Sequence, residues 1–265
     1  MSETVPQSLK LEELAWPDVQ EARGGTYTTI VAAAGSTEQH GPHLPLTTDT
    51  LIGTELVAAI VERLGDALQG PTIPFGCSEH HMAFPGTITL ERETFKAVVK
   101  EYARSIARHG FRTVYFVPSH GGNFAPLAEA VAELGGKIER TRVIAFTDLS
   151  SFLDVIYASQ QPYNVTPEVA GAHAGNTETA LVLATRPELA RMERVEAGFV
   201  GDFNAEAQAT VFREGMRALT ANGILGDPHG ADAARGRDCL NALANYLADY
   251  LRQTISGEQA VGTGP

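Results

Sequence analysis

Cysteine, tryptophan and positive charge are all scarce in this chain. Two cysteines, Cys77 and Cys239, and one tryptophan, Trp16, occur in 265 residues. The cysteines form no Cys-x-x-Cys pair, which argues against a disulfide framework and a cysteine zinc site and fits a reducing compartment. Lys and Arg number 20 against 32 Asp and Glu, a formal net charge of -12. That is the wrong sign for a phosphate-backbone footprint, so no nucleic-acid partner is expected. No run of about 18 apolar residues exists, so no membrane partner is expected either. Met1-Ser2-Glu3-Thr4 offers neither a basic n-region nor an apolar h-region, and the expectation is an unexported, cytoplasmic protein. Also missing are a Gly-x-Ser-x-Gly elbow, a His-Glu-x-x-His pair, a Walker loop and a Gly-x-Gly-x-x-Gly turn after the first apolar run, which removes several common enzyme classes.

What is present is an average globular composition, 43% hydrophobic and 20% charged, enough for a chain that folds around its own core. Apolar runs at 28–34, 113–117 and 142–146 have the continuous character of strands buried on both faces of a parallel sheet. Between and around them, apolar residues recur at helical spacing: Ile52, Leu56, Ile60 and Leu64; Phe95, Val99, Tyr102 and Ile106 before Gly110; Phe124, Leu127, Val131 and Leu134 before Gly135. A further helical stripe runs from about Ala231 to Leu251. Strand and helix in alternation predict an α/β fold, a three-layer α/β/α sandwich with a mostly parallel central sheet. One domain over 1–265 is expected, with a short helix and an irregular loop between Asp148 and Ala172 and a frayed tail over 256–265.

In open parallel sheets the ligand crevice lies beyond the carboxyl ends of the strands. The first run is followed there by Glu38-Gln-His40 and then Asp49, and the next by His120-Gly121-Gly-Asn123; His173-Ala-Gly-Asn-Thr-Glu178 opens a later helix. Glu38, His40, Asp49, His120 and Glu178 offer only oxygen and imidazole donors, a set suited to zinc, manganese or iron. A carboxylate at Asp49 could bridge two ions, and such a pair would hold a hydroxide ready to attack a carbonyl. Spacing alone equally fits plainer roles: loop polarity for Glu38 and His40, a helix N-cap at Asp49, a first-turn carboxylate at Glu178. Ser78 and His81 either pack a Pro- and Gly-rich loop or face a pocket. His109 fits a helix end, His43 a loop tie, His229 a turn, and Cys77 a small buried hydrophobe.

Glu38-Gln-His40-Gly-Pro-His-Leu-Pro-Leu with Asp49, His120-Gly-Gly-Asn123, and His173-Ala-Gly with Glu178 resemble, in order and spacing, the motifs of the creatininase family. Phe84-Pro-Gly-Thr87 and Gly223 to Pro228 extend the resemblance over roughly Leu11 to Tyr250. It implies an α/β/α sandwich with two divalent metal ions (Zn, Mn or Fe). Glu38, Asp49 and His120 would hold one, His40 and Asp49 the other, with Asp49 bridging. Creatininase itself takes a further ligand from a glutamate two residues after the metal histidine, where this chain has Gly122; Glu178 is assigned to that vacancy. The resemblance makes His173, with Glu178, catalytic, passing a proton to the leaving nitrogen, and leaves Ser78, His81, Gly121 and Asn123 to contact a small-molecule substrate. Gly121 and Val169 replace the tyrosine and tryptophan that shape the creatininase pocket, which argues against creatinine. The family also holds a nucleotide-intermediate deformylase, a peptidase of mycofactocin maturation and a hydrolase of an oxidised inositol. The expected activity is hydrolysis of an amide-type C–N bond by a homo-oligomer, a hexamer on the family's pattern. The alternatives are a non-catalytic small-ligand binder, the oxidised-inositol hydrolase, and a metal-free domain whose loops bind phosphate.

Overall fold

Short uncharged runs make the two longest strands, because such residues can be buried on both faces. A computed structural model describes residues 6–257. Helix α1 (Trp16–Gly24) leads into β1 (Thr29–Ala34), α2 (Thr48–Leu64) and β2 (Ala67–Gln69). Then come α3 (Arg92–Arg108), β3 (Thr113–Pro118), α4 (Phe124–Glu133), β4 (Lys137–Ile138) and β5 (Thr141–Ala145). After the last strand the chain is helical: α5 (Leu149–Gln160), α6 (Pro167–Ala170), α7 (Asn176–Thr185), α8 (Ala205–Glu214) and α9 (Ala233–Ser256).

The sheet order is β2-β1-β3-β5-β4. All pairs are parallel except the β4–β5 hairpin. Successive strand residues face opposite sides, so one strand feeds two cores. Val31, Ala33, Tyr115 and Val117 pack with α2, α7 and α9, while Ile30, Ala32, Ala34, Val114 and Phe116 pack with α1, α3 and α4. This is the expected three-layer α/β sandwich.

Several details differ from the sequence expectation. Strands β2 and β4 have three and two residues, too few to leave a periodic signature. Segment 148–172 holds a helix of twelve residues, α5, whose start Asp148 caps by accepting from the Ser151 amide. Helix α2 begins at Thr48, so Asp49 sits inside its first turn rather than capping it. Helix α9 runs on through Ser256, and the expected tail beyond Gly257 lies outside the described residues. Among the described residues no helix is long and apolar enough to cross a membrane.

Candidate metal centre

The carboxyl ends of β1 and β3 deliver Glu38 and His120 to one edge of the sheet, and the first turn of α2 packs directly over that edge. Gly53 makes the approach feasible: a Cβ there would lie 2.4 Å from Ser119 Oγ, and that hydroxyl donates to the Asp49 carbonyl at 2.8 Å. His173 pairs with Leu225 across an antiparallel bridge. Ala174, between His173 and α7, has φ +53°, a strained left-handed conformation for a residue with a Cβ, costing of order 1–3 kcal/mol. Its amide donates to the Glu178 carboxylate.

Three imidazoles share one arrangement. Nδ1 of His40 donates to the Glu38 carbonyl at 3.1 Å, Nε2 of His120 to the Cys77 carbonyl at 3.1 Å, and Nε2 of His173 to the Gln39 carbonyl at 2.7 Å. A carbonyl only accepts, so each anchored nitrogen carries the proton and the other turns toward carboxylates. His40 Nε2 lies 3.1 Å from Asp49 Oδ1 and 3.8 Å from Glu178 Oε2. His120 Nδ1 lies 3.2 Å from Glu38 Oε1 and 3.3 Å from Asp49 Oδ2. His173 Nδ1 is 3.7 Å from Glu38 Oε1. Asp49 therefore presents one oxygen to His40 and the other to His120.

Glu38 and Asp49 are 0% and 2% exposed, and their Oε1 and Oδ2 atoms have no aligned hydrogen-bond donor despite these close imidazole nitrogens. Buried carboxylate oxygens left so are costly unless a cation or proton lies between. Donor atoms of Glu38, His40 and Asp49 fall within 4.8 Å of one another, as do those of His40, His173 and Glu178, and of Glu38, His81 and His173. The donors present therefore fit divalent cations.

The fields match the geometry. Burial alone would raise the Glu38 carboxyl, yet the imidazoles of His120, His81 and His173 hold it well below the carboxylate range. Burial opposes protonation of His40, but Asp49, Glu178 and Glu38 push it up to about 9. His120 is raised well above its ordinary value by Glu38 and Asp49 in spite of burial. Burial, with His40 adding, takes His173 down to about 3. Glu178 is pushed up to about 7 by burial, Asp49 and Glu38, against the pull of His40.

His81 joins the cluster, with Nε2 3.3 Å from Glu38 Oε1. Ser78 lies just behind it, 2.8 Å from Ser36 Oγ and 3.4 Å from His120 Nε2. Gly121 lines the cleft. Asn123 does not: its amide donates to the Ala34 and Gly35 carbonyls and its oxygen accepts from the Cys77 amide, so it ties strand ends together. His43 binds Thr179 and His229 binds Asp227, both apart from the cluster. Sequence reasoning passed over three residues. Ser36 donates to Glu38 Oε2 at 3.0 Å. The Gln39 amide donates to His81 Nδ1 and to the Gly223 carbonyl. The His80 ring stacks 5.6 Å from that of His120. All three adjoin singled-out residues, but a loop has no period to say which neighbours turn inward.

An α/β sandwich whose parallel strand ends gather buried carboxylates and carbonyl-anchored imidazoles presents a candidate metal-binding site. A family profile described as creatinine amidohydrolase matches residues 12–251, and the chain belongs to the creatininase family. It is 34% identical over 238 residues to the mycofactocin precursor peptide peptidase of Mycobacterium ulcerans, covering 83% of this chain and 86% of that one. It is 28% identical over 263 residues to creatinine amidohydrolase of Pseudomonas putida, covering 93% and 97%. The crystal structure of a creatininase superimposes with TM-score 0.74 at 25% identity, over 94% of this chain and 98% of that one.

Proposed function

We propose that this chain is a metal-dependent amidohydrolase that cleaves an amide-type C–N bond, in a cyclic amide, formamide or peptide, of a small molecule. The observation that carries the reading is the set of anchored imidazoles, each turning a nitrogen toward buried carboxylates. Glu38, Asp49 and His120 would hold one divalent ion and His40, Asp49 and Glu178 a second, with Asp49 between them. Bound zinc, manganese or iron would polarise a carbonyl and make water acidic near neutral pH. The backbone carbonyls of Glu38 and Cys77 fix the His40 and His120 tautomers, which keeps the ligand nitrogens bare. Ser36 holds the far oxygen of Glu38. His173, neutral by burial and anchored through Nε2, has Nδ1 free to take a proton and return it to the leaving nitrogen.

The test is metal content per chain by elemental analysis on protein purified without chelator, beside Asp49→Ala with its fold checked by circular dichroism. About two equivalents, falling sharply in the variant, together with chelator-sensitive turnover of a member of an amide, lactam and formamide panel, support the reading. A folded protein that takes up no metal overturns it.

A further inference from the structure

The cleft at the candidate metal centre is lined by two unlike kinds of residue. Its lining combines the polar Glu38, His81, His120 and His173 with apolar residues that include Leu149, Leu153, Phe203, Phe212 and Met216. The cleft has a volume of about 60 Å³, small beside the roughly 300–1,000 Å³ usual for a whole-ligand site, and so sized for one group of a substrate rather than all of it. Val211, Met216 and Leu225 form a buried apolar cluster of their own, packed with Phe203 and Ala172 and separate from the two cores on the sheet. This cluster therefore supports no sheet face, and it borders the cleft. Phe212, at the end of α8, is 49% exposed, and its ring is held 4.7 Å from that of His80. Neither Lys nor Arg lines the cleft, and Gln208 is the polar side chain on the α8 side.

We propose that the substrate carries an uncharged apolar group, the size of a phenyl ring or a leucine side chain, next to the hydrolysed bond, and that Phe212 is a specificity-determining residue for it. A phosphate or carboxylate in that position would meet neither Lys nor Arg. A ring bearing several hydroxyls would lose hydrogen bonds to water with few replacements, since polar groups buried without partners are penalised. An apolar group gains by leaving water, and the half-exposed Phe212 ring is covered as it binds. The inference rests on the hydrolase reading and narrows it to a substrate class.

The experiment uses hydroxamates, which chelate divalent ions, with the full-length zinc-loaded protein after metal uptake has been measured on the same sample. Calorimetric affinities are compared for acetohydroxamate, benzohydroxamate and 4-carboxybenzohydroxamate. Benzohydroxamate should bind at least about tenfold tighter than acetohydroxamate, and the carboxylated ring should lose most of that gain. Phe212→Ala should shrink the phenyl advantage to about threefold or less, with acetohydroxamate affinity held within about twofold, and Phe212→Leu should restore part of it. Equal binding of the three, or tightest binding of the carboxylated ring, overturns the apolar-substrate inference and leaves the metal-dependent reading standing. Absence of both metal uptake and hydroxamate binding overturns the two together.

Discussion

A Cβ on Gly122 would lie 2.2 Å from the carbonyl oxygen of Cys77. The same atom would meet His120 Nε2 at 2.6 Å, so a side chain at this position displaces both a backbone carbonyl and the imidazole which that carbonyl anchors. On the proposed ligand set, a carboxylate cannot reach the second ion from position 122 without rebuilding the loop around Cys77. Glu178, approaching His40 from α7, is free of that obstacle. Gly122→Ala should lower stability by about 1–3 kcal/mol, the range for overpacking. Gly122→Glu should fail to restore the metal equivalent lost in Glu178→Gln; a double variant that regains two equivalents by elemental analysis would contradict the assignment.

The strands β1 and β3 were legible because Ile30 to Ala34 and Val114 to Val117 are all buried, and continuous burial leaves a continuous apolar run; β5 is less regular, with Arg142 exposed and Ile144 half-buried among buried neighbours. Glu38, His40, Asp49, His120, His173 and Glu178 were legible because carboxylates and histidines follow such runs and open helices. What could not be read was how each imidazole is held, since the anchoring groups are backbone carbonyls of Glu38, Gln39 and Cys77 that no residue type announces. Helix α8 escaped for a related reason. Its apolar residues face a small satellite cluster and a cleft rather than the sheet, so they show no broad core stripe.

Replacement of His173 by Ala removes the proton carrier but not a member of either proposed ligand set. Turnover of a substrate found by the amide panel should fall by about 10²–10⁴-fold, as expected for loss of a general acid–base, while metal content per chain is retained. Full activity in the variant would move the proton transfer to another group, with His81, 3.3 Å from Glu38 Oε1 and outside both proposed ligand sets, the first candidate.

Leu247 on α9 is fully buried against the layer formed with α2 and α7. Leu247→Ala should reduce unfolding stability by about 2–5 kcal/mol in denaturant titrations, the cost of lost burial plus a cavity. Because the residue touches the packing layer and not the cluster, metal content of the folded fraction should match the parent protein. A stability loss with depleted metal would instead place α9 in control of the site.

Without metal, the centre has a pH signature whose sign follows from its raised groups. His40 is raised to about 9 from 6.5 and Glu178 to about 7 from 4.5, so the folded state holds protons that the unfolded chain has released. Stability from these groups is complete below their unfolded values and declines as pH rises through about 7 and then 9, since stability falls with pH wherever the native state binds more protons. The lowered imidazoles, His43 and His80 at about 4 and His173 at about 3, act in the opposite sense but below 6.5, outside this window. The metal-free protein should therefore lose a few degrees of melting temperature between pH 7 and 9, at about 2–4 °C per kcal/mol for a chain of this size. Divalent metal replaces those protons, and its affinity rises as they leave. Zinc-loaded protein should show no such decline across the same range, and His40→Gln should reduce it in the metal-free form, leaving the part that comes from His120, which Glu38 and Asp49 also raise; a melting temperature that rises from pH 7 to 9 without metal would contradict the arrangement of His40 between Asp49 and Glu178.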